Sequence, residues 1–475
     1  MKRKRILWAC VIPLLILLGG MVWNFGFGTT RIGLVNYQAI TMGQMAKANN
    51  HDRIRLATID LEQLDDLKHY DMILVNGMGL RITAHQREAL RQASQQGVTV
   101  LTTMATNPAN SIQSADSTTQ QVLTAYLAAG GRQNYRNMLT YIRRHVHGMT
   151  WDSEEPAAPV ERKQLQFYHI DPQQPDEEPT EMASVAAYHA FLQKHQLWKE
   201  KASRIIVTGQ MGEPTDLIAA LEKSGLMVYP VRNMQQLLQG QIDSIAPAAI
   251  INMAHGRLGD AVVGYLKRQN IPLFSPLNVN RLAEEWEADK MGMNGGFLSQ
   301  SIVMPELDGA IRPYALFAHR VNQEGLQELY AMPDRLQSFV QSVNNHIALQ
   351  RKPNAEKHVV IYYYKGPGQN ALTAAGMEVI PSLYHLLVRM KREGYHIDPL
   401  PESPEQLATL IQRRGAVYNS YAHGAKQEFL KQGNPLLISA AHYNEWTAQS
   451  ISPQMMAEVV AVDGKFPGHA LSTEQ

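Results

Sequence analysis

The sequence predicts an α/β fold, in which the strands of parallel sheets alternate with helices. The chain has 475 residues, which is too long for one ordinary core. Short apolar runs alternate with helical patterns along most of it, which is typical of parallel sheets. Three segments, beginning RIGLVN, RIIVTG and HVVIYYY, share one layout of a basic or histidine residue, an apolar strand and a loop. We therefore predict several Rossmann-like units in tandem, after an N-terminal transmembrane helix.

The N-terminus combines a basic segment with an apolar one. Lys2 to Arg5 are all basic, and residues 6–23 carry no charge. At about 1.5 Å per residue, that apolar stretch reaches about 27 Å, enough to cross a hydrocarbon core. No small-residue cleavage site follows, so we predict an uncleaved signal anchor within residues 1–29, with a cleaved signal peptide as the alternative. The positive-inside rule then predicts a single-pass inner-membrane protein with its body in the periplasm.

Charge and cysteine content exclude several classes of site. The net charge is only +1, which gives no electrostatic case for binding nucleic acid. The single cysteine, Cys10, excludes disulfides, cysteine zinc sites and iron–sulfur clusters within this chain. Neither glycine-rich nucleotide motif, G-x-G-x-x-G or G-x-x-x-x-G-K-[ST], is present. We therefore predict that the chain itself binds no nucleotide.

The first α/β unit is predicted over residues 30–150. A capping-box pattern from Thr83 to Gln86 begins a helix that Gly97 ends. A helical region follows, with an interruption at Gly130 and Gly131. The predicted strands of this unit span residues 32–35, 54–59, 72–75 and 98–101.

The remaining chain predicts a crossing segment and two further units. Residues 151–200 are rich in Pro, Asp and Glu and predict an irregular crossing segment followed by a helix. The second α/β unit covers residues 201–352 and the third covers residues 353–475. The strands predicted in these two units span residues 204–208, 226–229, 248–252, 272–274, 358–364, 395–397 and 416–419.

Two places carry candidate functional residues. Glu306 and Asp308 lie just before Gly309, where we interpret the pattern as a strand that gives way to a turn. Functional residues are common in such loops, although a plain surface turn with solvated acids is the simpler alternative. His255 follows the predicted strand that ends at Asn252, and ligands bind at the carboxyl ends of strands in open α/β sheets. A capping or structural histidine is the alternative there.

Several blocks resemble the large subunit of cobaltochelatase and magnesium chelatase. They occur in the family's order and read AYLAAGGRQNYRNMLTYI, MPELDGAIRP, GMEVIPSLYHLLVRMKREGY and YNEWTAQSISPQMMAEVVAVDGKFPG. The resemblance implies an N-terminal portion of a longer protein, or the front part of a split one, with a missing C-terminal body. It also implies a metallated tetrapyrrole substrate, either haem or a corrin, with iron or cobalt as its metal.

The predicted anchor bears on which branch of that family the chain resembles. The metal-inserting members work with cytoplasmic ATPase partners, whereas this body is predicted to lie outside the cytoplasm. That favours a chelatase-type enzyme similar to the membrane-anchored members associated with haem uptake, which process haem or remove its iron. Insertion of cobalt into a corrin for cobalamin biosynthesis is one alternative. A non-catalytic docking or lid module, inactive alone, is the other.

The resemblance assigns roles to particular residues. A tetrapyrrole site needs an apolar slot, a metal ligand and polar groups for the ring carboxylates. We predict that Glu306 and Asp308 handle protons or metal at the ring edge, and that His255 and His423 are axial or acid–base groups, with Glu306, Asp308 and His255 as the catalytic set; the metal's own ligand set is not assigned. The predicted tetrapyrrole-binding residues are Met291, Lys290, Tyr363, Tyr364, His423 and Arg257. For each residue a plainer structural role is the alternative. The expected partners are the tetrapyrrole, the membrane through residues 6–23, and a C-terminal part or other chelatase subunits.

Overall fold

The structure of the chain is a computed structural model. Two compact units make up the chain, one ending at Ala348 and the other beginning at Leu349. The finer division into domains stays a prediction. The residues that the structure describes are 28–62, 64, 66–160, 166–171, 179–209, 213–323, 325, 327–362, 378–414, 427, 430–431, 433 and 436–464.

The first unit begins with a four-stranded sheet whose strands are all parallel, in the order β2-β1-β3-β4. Side chains alternate between its faces, as the period of a strand requires: Ile32 and Leu34 join one buried cluster, and Val35 joins the other. Its strands are β1 (Thr30–Val35), β2 (Ile54–Thr58), β3 (Met72–Asn76) and β4 (Thr99–Thr103).

The helices of this region agree with the sequence pattern. The predicted capping box is confirmed, because Thr83 Oγ1 accepts from the Gln86 backbone and the Gln86 side chain accepts from the Thr83 backbone. Gly130 and Gly131 take positive φ angles and separate two helices, as predicted. The helices are α1 (Ala39–Ala48), α2 (Ala84–Gln95), α3 (Ser117–Ala129) and α4 (Arg132–Tyr141), with a π-helical turn at Ile142–Val146 and short 3₁₀ turns at Leu67–His69 and Pro108–Asn110.

The same unit continues with an eight-stranded sheet in the order β12-β11-β10-β9-β7-β8-β5-β6. Its strands are β5 (Gln166–His169), β6 (Thr180–Met182), β7 (Arg204–Thr208), β8 (Met227–Arg232), β9 (Ala249–Asn252), β10 (Leu273–Leu282), β11 (Ala310–Val321) and β12 (Gln327–Ala331). The five central strands, β11, β10, β9, β7 and β8, are parallel, and antiparallel strands flank them at both edges.

Helices contribute buried side chains to the two clusters that cover this sheet. They are α5 (Val185–Lys194), α6 (Thr215–Lys223), α7 (Met234–Leu238), α8 (Ile242–Ile245), α9 (Asp260–Gln269) and α13 (Pro333–Arg351). Between β10 and β11 lie three short helices, α10 (Ala283–Ala288), α11 (Gly295–Leu298) and α12 (Met304–Leu307). The predicted α/β class with parallel sheets is thus confirmed for both sheets.

Residues 166–182 correct the prediction of an irregular crossing segment. Gln166–His169 is β5, which pairs antiparallel with β8 and with β6. Phe167 and Tyr168 are both fully buried, one in each of the two clusters that cover the sheet. The composition of the surrounding loop hid this strand, because an edge strand of four residues is too short to show a period of its own.

The unit from Leu349 onward differs from the predicted third α/β unit. Among its described residues none lies in a strand, so the predicted strand at 395–397 is wrong, and residues 358–362 are not in a strand. The physical reason is visible at Gly394, whose φ is +88°. The Tyr395 amide donates to the Met390 carbonyl at 3.1 Å, and this bond ends the preceding helix. The helices are α14 (Val379–Arg392), α15 (Pro404–Arg414), α16 (Ala440–Ser450) and α17 (Pro453–Asp463), with a 3₁₀ turn at Asn354–Glu356.

Several predictions fall on residues outside the described ranges. They are Tyr363, Tyr364, His423, the strand at 416–419 and the apolar segment 6–23. Within the described ranges, no helix has both the length and the apolar character that crossing a bilayer requires.

Candidate functional site

The eight-stranded sheet has a topological switch point between β7 and β9. From β7 the chain passes to β8 on one side and later returns to β9 on the other. At the carboxyl ends of these strands, Thr208 lies opposite Asn252. The connections leave such a point in opposite directions and open a crevice there, which is where ligands bind in open α/β sheets.

Gly209 allows the two strand ends to approach closely. Its φ is +69°, and a Cβ atom there would lie 2.1 Å from Asn252 Oδ1 and 2.6 Å from the Ala254 nitrogen. No larger residue fits this space without displacing the neighbouring turn. Asn252 Oδ1 also accepts from the Ala254 amide at 3.0 Å, which fixes the turn that leads to His255.

His255 is exposed at this edge and is oriented by two neighbours. Its Nδ1 lies 3.1 Å from the Ser301 hydroxyl, and its ring centroid lies 5.7 Å from that of Phe297. Desolvation by surrounding protein atoms lowers the pKa of His255, so the ring is neutral at neutral pH. In the tautomer whose Nδ1 donates to the Ser301 hydroxyl, Nε2 carries the lone pair with which histidine binds metals.

The segment that presents Ser301 is helical, which corrects the predicted strand before Pro305. α11 runs through a π-helical turn at Ser299–Val303 into α12. Proline lacks an amide donor and its ring clashes with the carbonyl four residues earlier, so the wider π turn accommodates Pro305 within the helix. The Gly256 amide donates to the Gln300 carbonyl at 2.8 Å, which joins this segment to the His255 loop.

Asp308, directly after α12, binds the loop that carries His255 and Arg257. Its carboxylate accepts from Arg257 Nε at 2.7 Å, from the Leu258 amide, and from the Gly259 amide at 3.2 Å. The side chain is 1% exposed. Because both oxygens accept hydrogen bonds in a buried site, this geometry supports a positioning role for Asp308.

The structure brings Arg257 and Asp308 into contact, and His255 lies two residues before Arg257 on the same loop. Glu306, Lys290 and Met291 lie on the neighbouring segment and are exposed, with Met291 90% exposed. Arg257 also pairs with Asp260 at 2.7 Å, and its hydrogen bonds to Asp308 and Asp260 raise its pKa further. The predicted roles of all these residues stay predictions.

Several large hydrophobic side chains between this turn and the end of α12 are exposed: Met291, Leu298, Val303, Met304 and Leu307. Exposed apolar side chains mark sites of interaction where they form a patch. Among the residues that the structure describes, no group of three or more His, Cys, Asp or Glu side chains is placed to hold a metal ion.

Sequence reasoning missed the residues that orient His255. Ser301 and Phe297 lie within an apolar and glycine-rich stretch that has no motif, and their partner is more than forty positions away. Gly209 had a signal, because a glycine directly after a predicted buried strand is typical of a close backbone approach. Asn252 had one as well, because it is a polar residue at the end of a buried strand.

Comparison with known proteins decides the family. The model of the CobN/Magnesium Chelatase family matches residues 124–475, which is most of the chain. The chain belongs to this family. The resemblance to the large chelatase subunits that the sequence blocks indicated is thereby confirmed.

Individual relatives agree with this assignment. The chain is 27% identical to the H-type magnesium-chelatase subunit of Rhodobacter capsulatus over 60% of its own length and 26% of that protein. It is 28% identical to ChlH, the chloroplastic magnesium-chelatase subunit of Oryza sativa, over 45% of its length and 17% of that protein. The chain spans between 16% and 31% of the length of the curated relatives reported to match it.

A solved structure shares the fold. It is the catalytic subunit of cobaltochelatase from Mycobacterium tuberculosis, with a TM-score of 0.62 over 93% of this chain and 36% of that one. At 17% sequence identity this similarity shows the α/β architecture and leaves substrate and reaction to other arguments.

Proposed function

We propose that this chain is a tetrapyrrole-binding part of a chelatase-type protein that processes haem, by removing its iron, during haem uptake. The observation that carries the proposal is a neutral, oriented histidine at the switch point of a sheet in a member of a chelatase family. Iron and the macrocycle are the substrate here. His255 would add a fifth bond to the iron through Nε2, with Ser301 holding the ring in place.

The neighbouring surface would support the flat face and the edge of the ring. Met291 and Leu298 offer exposed apolar side chains for the macrocycle. Arg257 is fixed by Asp308 and keeps further N–H donors for a ring carboxylate. Lys290 is a second exposed cation near that edge.

Removing iron from haem requires protons for the ring nitrogens that the metal leaves. Glu306 is the exposed carboxyl group of the segment and lies in the first turn of α12. An exposed carboxyl exchanges protons freely with solvent, so Glu306 is better placed for this task than the buried Asp308. Replacement by glutamine should slow iron release and leave haem affinity unchanged.

The deciding experiment is a titration of haem into the whole chain in detergent, followed through the Soret band. We expect a Soret shift with the natural chain and an affinity at least about tenfold lower for His255→Ala. His85→Ala, at an exposed histidine of α2, is the matched control and should bind as the natural chain does. The proposal fails if haem produces no spectral change, or if the His255 and His85 variants behave alike.

The haem branch also rests on the location that we propose for the body. Residues 6–23 would anchor the protein in the inner membrane with the remainder in the periplasm. Reporter fusions after Gly28 test this directly. A fusion to alkaline phosphatase should be active, and a fusion to green fluorescent protein that follows the same export route should not fluoresce. The reverse pattern would place the body in the cytoplasm and favour cobalt insertion into a corrin instead.

A docking function is the second candidate, and the unit from Leu349 onward favours it. Its described residues leave many large apolar side chains exposed, including Tyr362, Val360, Leu436, Leu437 and Val462. Such a surface suits a second polypeptide, here the C-terminal body typical of the family.

Charge placed on that surface tests the docking function. Leu436→Asp with Leu437→Asp should abolish binding to the C-terminal body supplied as a separate chain. Glu88→Lys, an exposed charge change on α2 in the other unit, is the control and should bind that body as the natural chain does. Iron release by this chain alone would argue against a purely docking role.

A further inference from the structure

A separate pocket shares Phe297 with the His255 site. Its volume is about 100 Å³, and its apolar walls are Val279, Trp286, Met293 and Phe297. Phe297 thus has two roles, because it packs against the His255 ring and also forms one wall of this pocket. The predicted site did not include this pocket.

The size of the pocket decides what kind of group it can hold. Sites that enclose a whole small ligand measure about 300–1,000 Å³, so a macrocycle does not fit. A water molecule takes about 30 Å³ of liquid, so the space matches about three waters or one short alkyl chain with a polar end. The pocket therefore suits a side chain of a larger ligand.

The polar groups of the pocket favour an anionic end. Among the described residues that line it, Arg281 is charged and no side chain is acidic. Arg281 Nη1 donates to Asp289, just outside the lining, which positions the guanidinium and leaves its other N–H groups for a ligand. Asn294 Oδ1 accepts from the Phe297 amide at 3.0 Å, so the Asn294 amide group is oriented with its own N–H donors remaining. Carboxylates bind well to such a combination.

The aromatic wall is held in place before any ligand arrives. The guanidinium of Arg335 lies 5.1 Å from the Trp286 ring centroid, and Arg335 Nε donates to the Ala315 carbonyl of β11. Gly292 lies at a φ of +71° in the turn that forms the rim. A preformed slot of this kind binds without a large ordering cost.

We propose that this pocket receives one alkyl carboxylate side chain of the macrocycle, such as a propionate. The methylene carbons lie between Trp286 and Phe297, and the carboxylate meets Arg281 and Asn294. The remainder of the ring then lies outside the pocket, on the side of the exposed Met291. This inference rests on the proposed function, and it assigns a specificity determinant to a residue outside the predicted site.

The test compares a porphyrin with its ester. Deuteroporphyrin IX and deuteroporphyrin IX dimethyl ester are titrated, through their fluorescence, into the whole natural chain and into Arg281→Met. The free acid should bind the variant about tenfold to a hundredfold more weakly, because a charge-assisted hydrogen bond is lost. The ester, which carries no charge, should bind both proteins equally. Arg320→Met removes another exposed, ion-paired arginine of this sheet and should leave both titrations unchanged.

A second variant tests the pocket itself. Met293→Trp fills the space and should weaken both the acid and the ester, because neither side chain can then enter. Thermal unfolding of each variant confirms that it is folded. If the natural chain binds both porphyrins and Arg281→Met weakens them equally or not at all, the pocket assignment is wrong and the proposed function stands. If the natural chain binds haem but neither porphyrin, the pocket assignment is overturned and the proposed function stands; if it binds neither haem nor a porphyrin, both are overturned.

Discussion

The carboxyl edges of the two parallel sheets share a topology but differ in what occupies them. In the four-stranded sheet the switch point lies between β1 and β3, and Asn36 closes it by donating to the Asn76 carbonyl at 2.8 Å and the Met78 carbonyl at 3.1 Å. In the eight-stranded sheet the corresponding edge carries His255, whose Nδ1 is oriented by Ser301. Both sheets have a crevice at their switch point because of their strand order. Whether side-chain hydrogen bonds bridge that crevice or leave it open to a ligand depends on the residues at that edge.

The largest expected effect comes from Gly209→Ala, which changes the carboxyl edge of the eight-stranded sheet and leaves that of the four-stranded sheet as it is. The added Cβ atom would overlap Asn252 Oδ1 and the Ala254 nitrogen, at a positive φ that alanine disfavours. We expect a loss of about 3–5 kcal/mol in the free energy of unfolding, measured with urea, and loss of haem binding. Gly79→Ala, at a φ of +64° with no atom within 4 Å, is the matched control and should cost only about 1 kcal/mol. Equal losses would show that backbone strain alone matters at both positions.

Asp308→Asn comes next, because it removes a buried charge that holds the second edge together. The variant leaves the guanidinium of Arg257 and two backbone amides with a weaker acceptor. The free energy of unfolding should fall by about 2–4 kcal/mol. Asp260→Asn, at the 93% exposed second partner of Arg257, should change it by less than about 0.5 kcal/mol. An Asp308 variant as stable as the Asp260 variant would remove the positioning role.

The two sheets should also respond to pH in opposite directions. In the second sheet, burial raises the pKa of Glu222 from 4.5 to about 7. The native state therefore holds this proton more tightly than the unfolded chain, and its contribution to stability is lost as the pH rises from about 4.5 to 7. Beside the first sheet, desolvation lowers the pKa of His147 against the opposing charge of Asp71, and Arg143 and Arg31 add to the lowering, so protonation in acid destabilises the native state.

Glu222→Gln isolates the first of these two contributions. The variant should nearly match the natural chain near pH 4.5 and become more stable than it by up to about 3 kcal/mol near pH 8. Glu88→Gln, at an exposed position of α2, is the control and should keep the natural pH dependence. Urea unfolding at a series of pH values provides the measurement; parallel curves for Glu222→Gln and the natural chain would contradict the assignment.

The smallest effect is expected from Asn36→Gly at the first edge. Glycine tolerates the φ of +58° found there, so the substitution removes the two bridging hydrogen bonds without adding strain. The free energy of unfolding should fall by about 1 kcal/mol. Haem binding should be unchanged, since this edge is proposed to be structural. A clear loss of haem affinity in this variant would indicate that haem binds at the first sheet instead.

Local patterns predicted most of the strands and several helix ends. The strands at 32–35, 72–75 and 204–208 are buried apolar runs of the expected length, and the capping box at Thr83 needs only three neighbouring residues. The helix from Gly295 to Leu307 was not predictable in this way, because Pro305 and two glycines argue locally against it. It forms because a π turn accommodates the proline and because Gln300 and Ser301 bond to the His255 loop.

The sequence identified residues of the candidate site but not the structural role of each one. His255, Arg257 and Asp308 were chosen for their residue types and for their positions at element ends. That Asp308 is buried and occupied by three donors depends on a loop about fifty positions earlier in the chain. The pocket beside Phe297 depends on residues from 279 to 297 meeting across a turn, which no periodicity reveals.

By itself, the sequence determined the α/β class, the positions of most of the parallel strands and the family, because each depends on neighbouring residues or on blocks read in order. The tertiary structure alone decided which strands adjoin, which switch point is bridged, and which acid is buried and which exposed. Those outcomes depend on pairs such as Arg257 with Asp308 and Asn36 with Asn76, whose members are far apart in sequence and meet only when the sheets form.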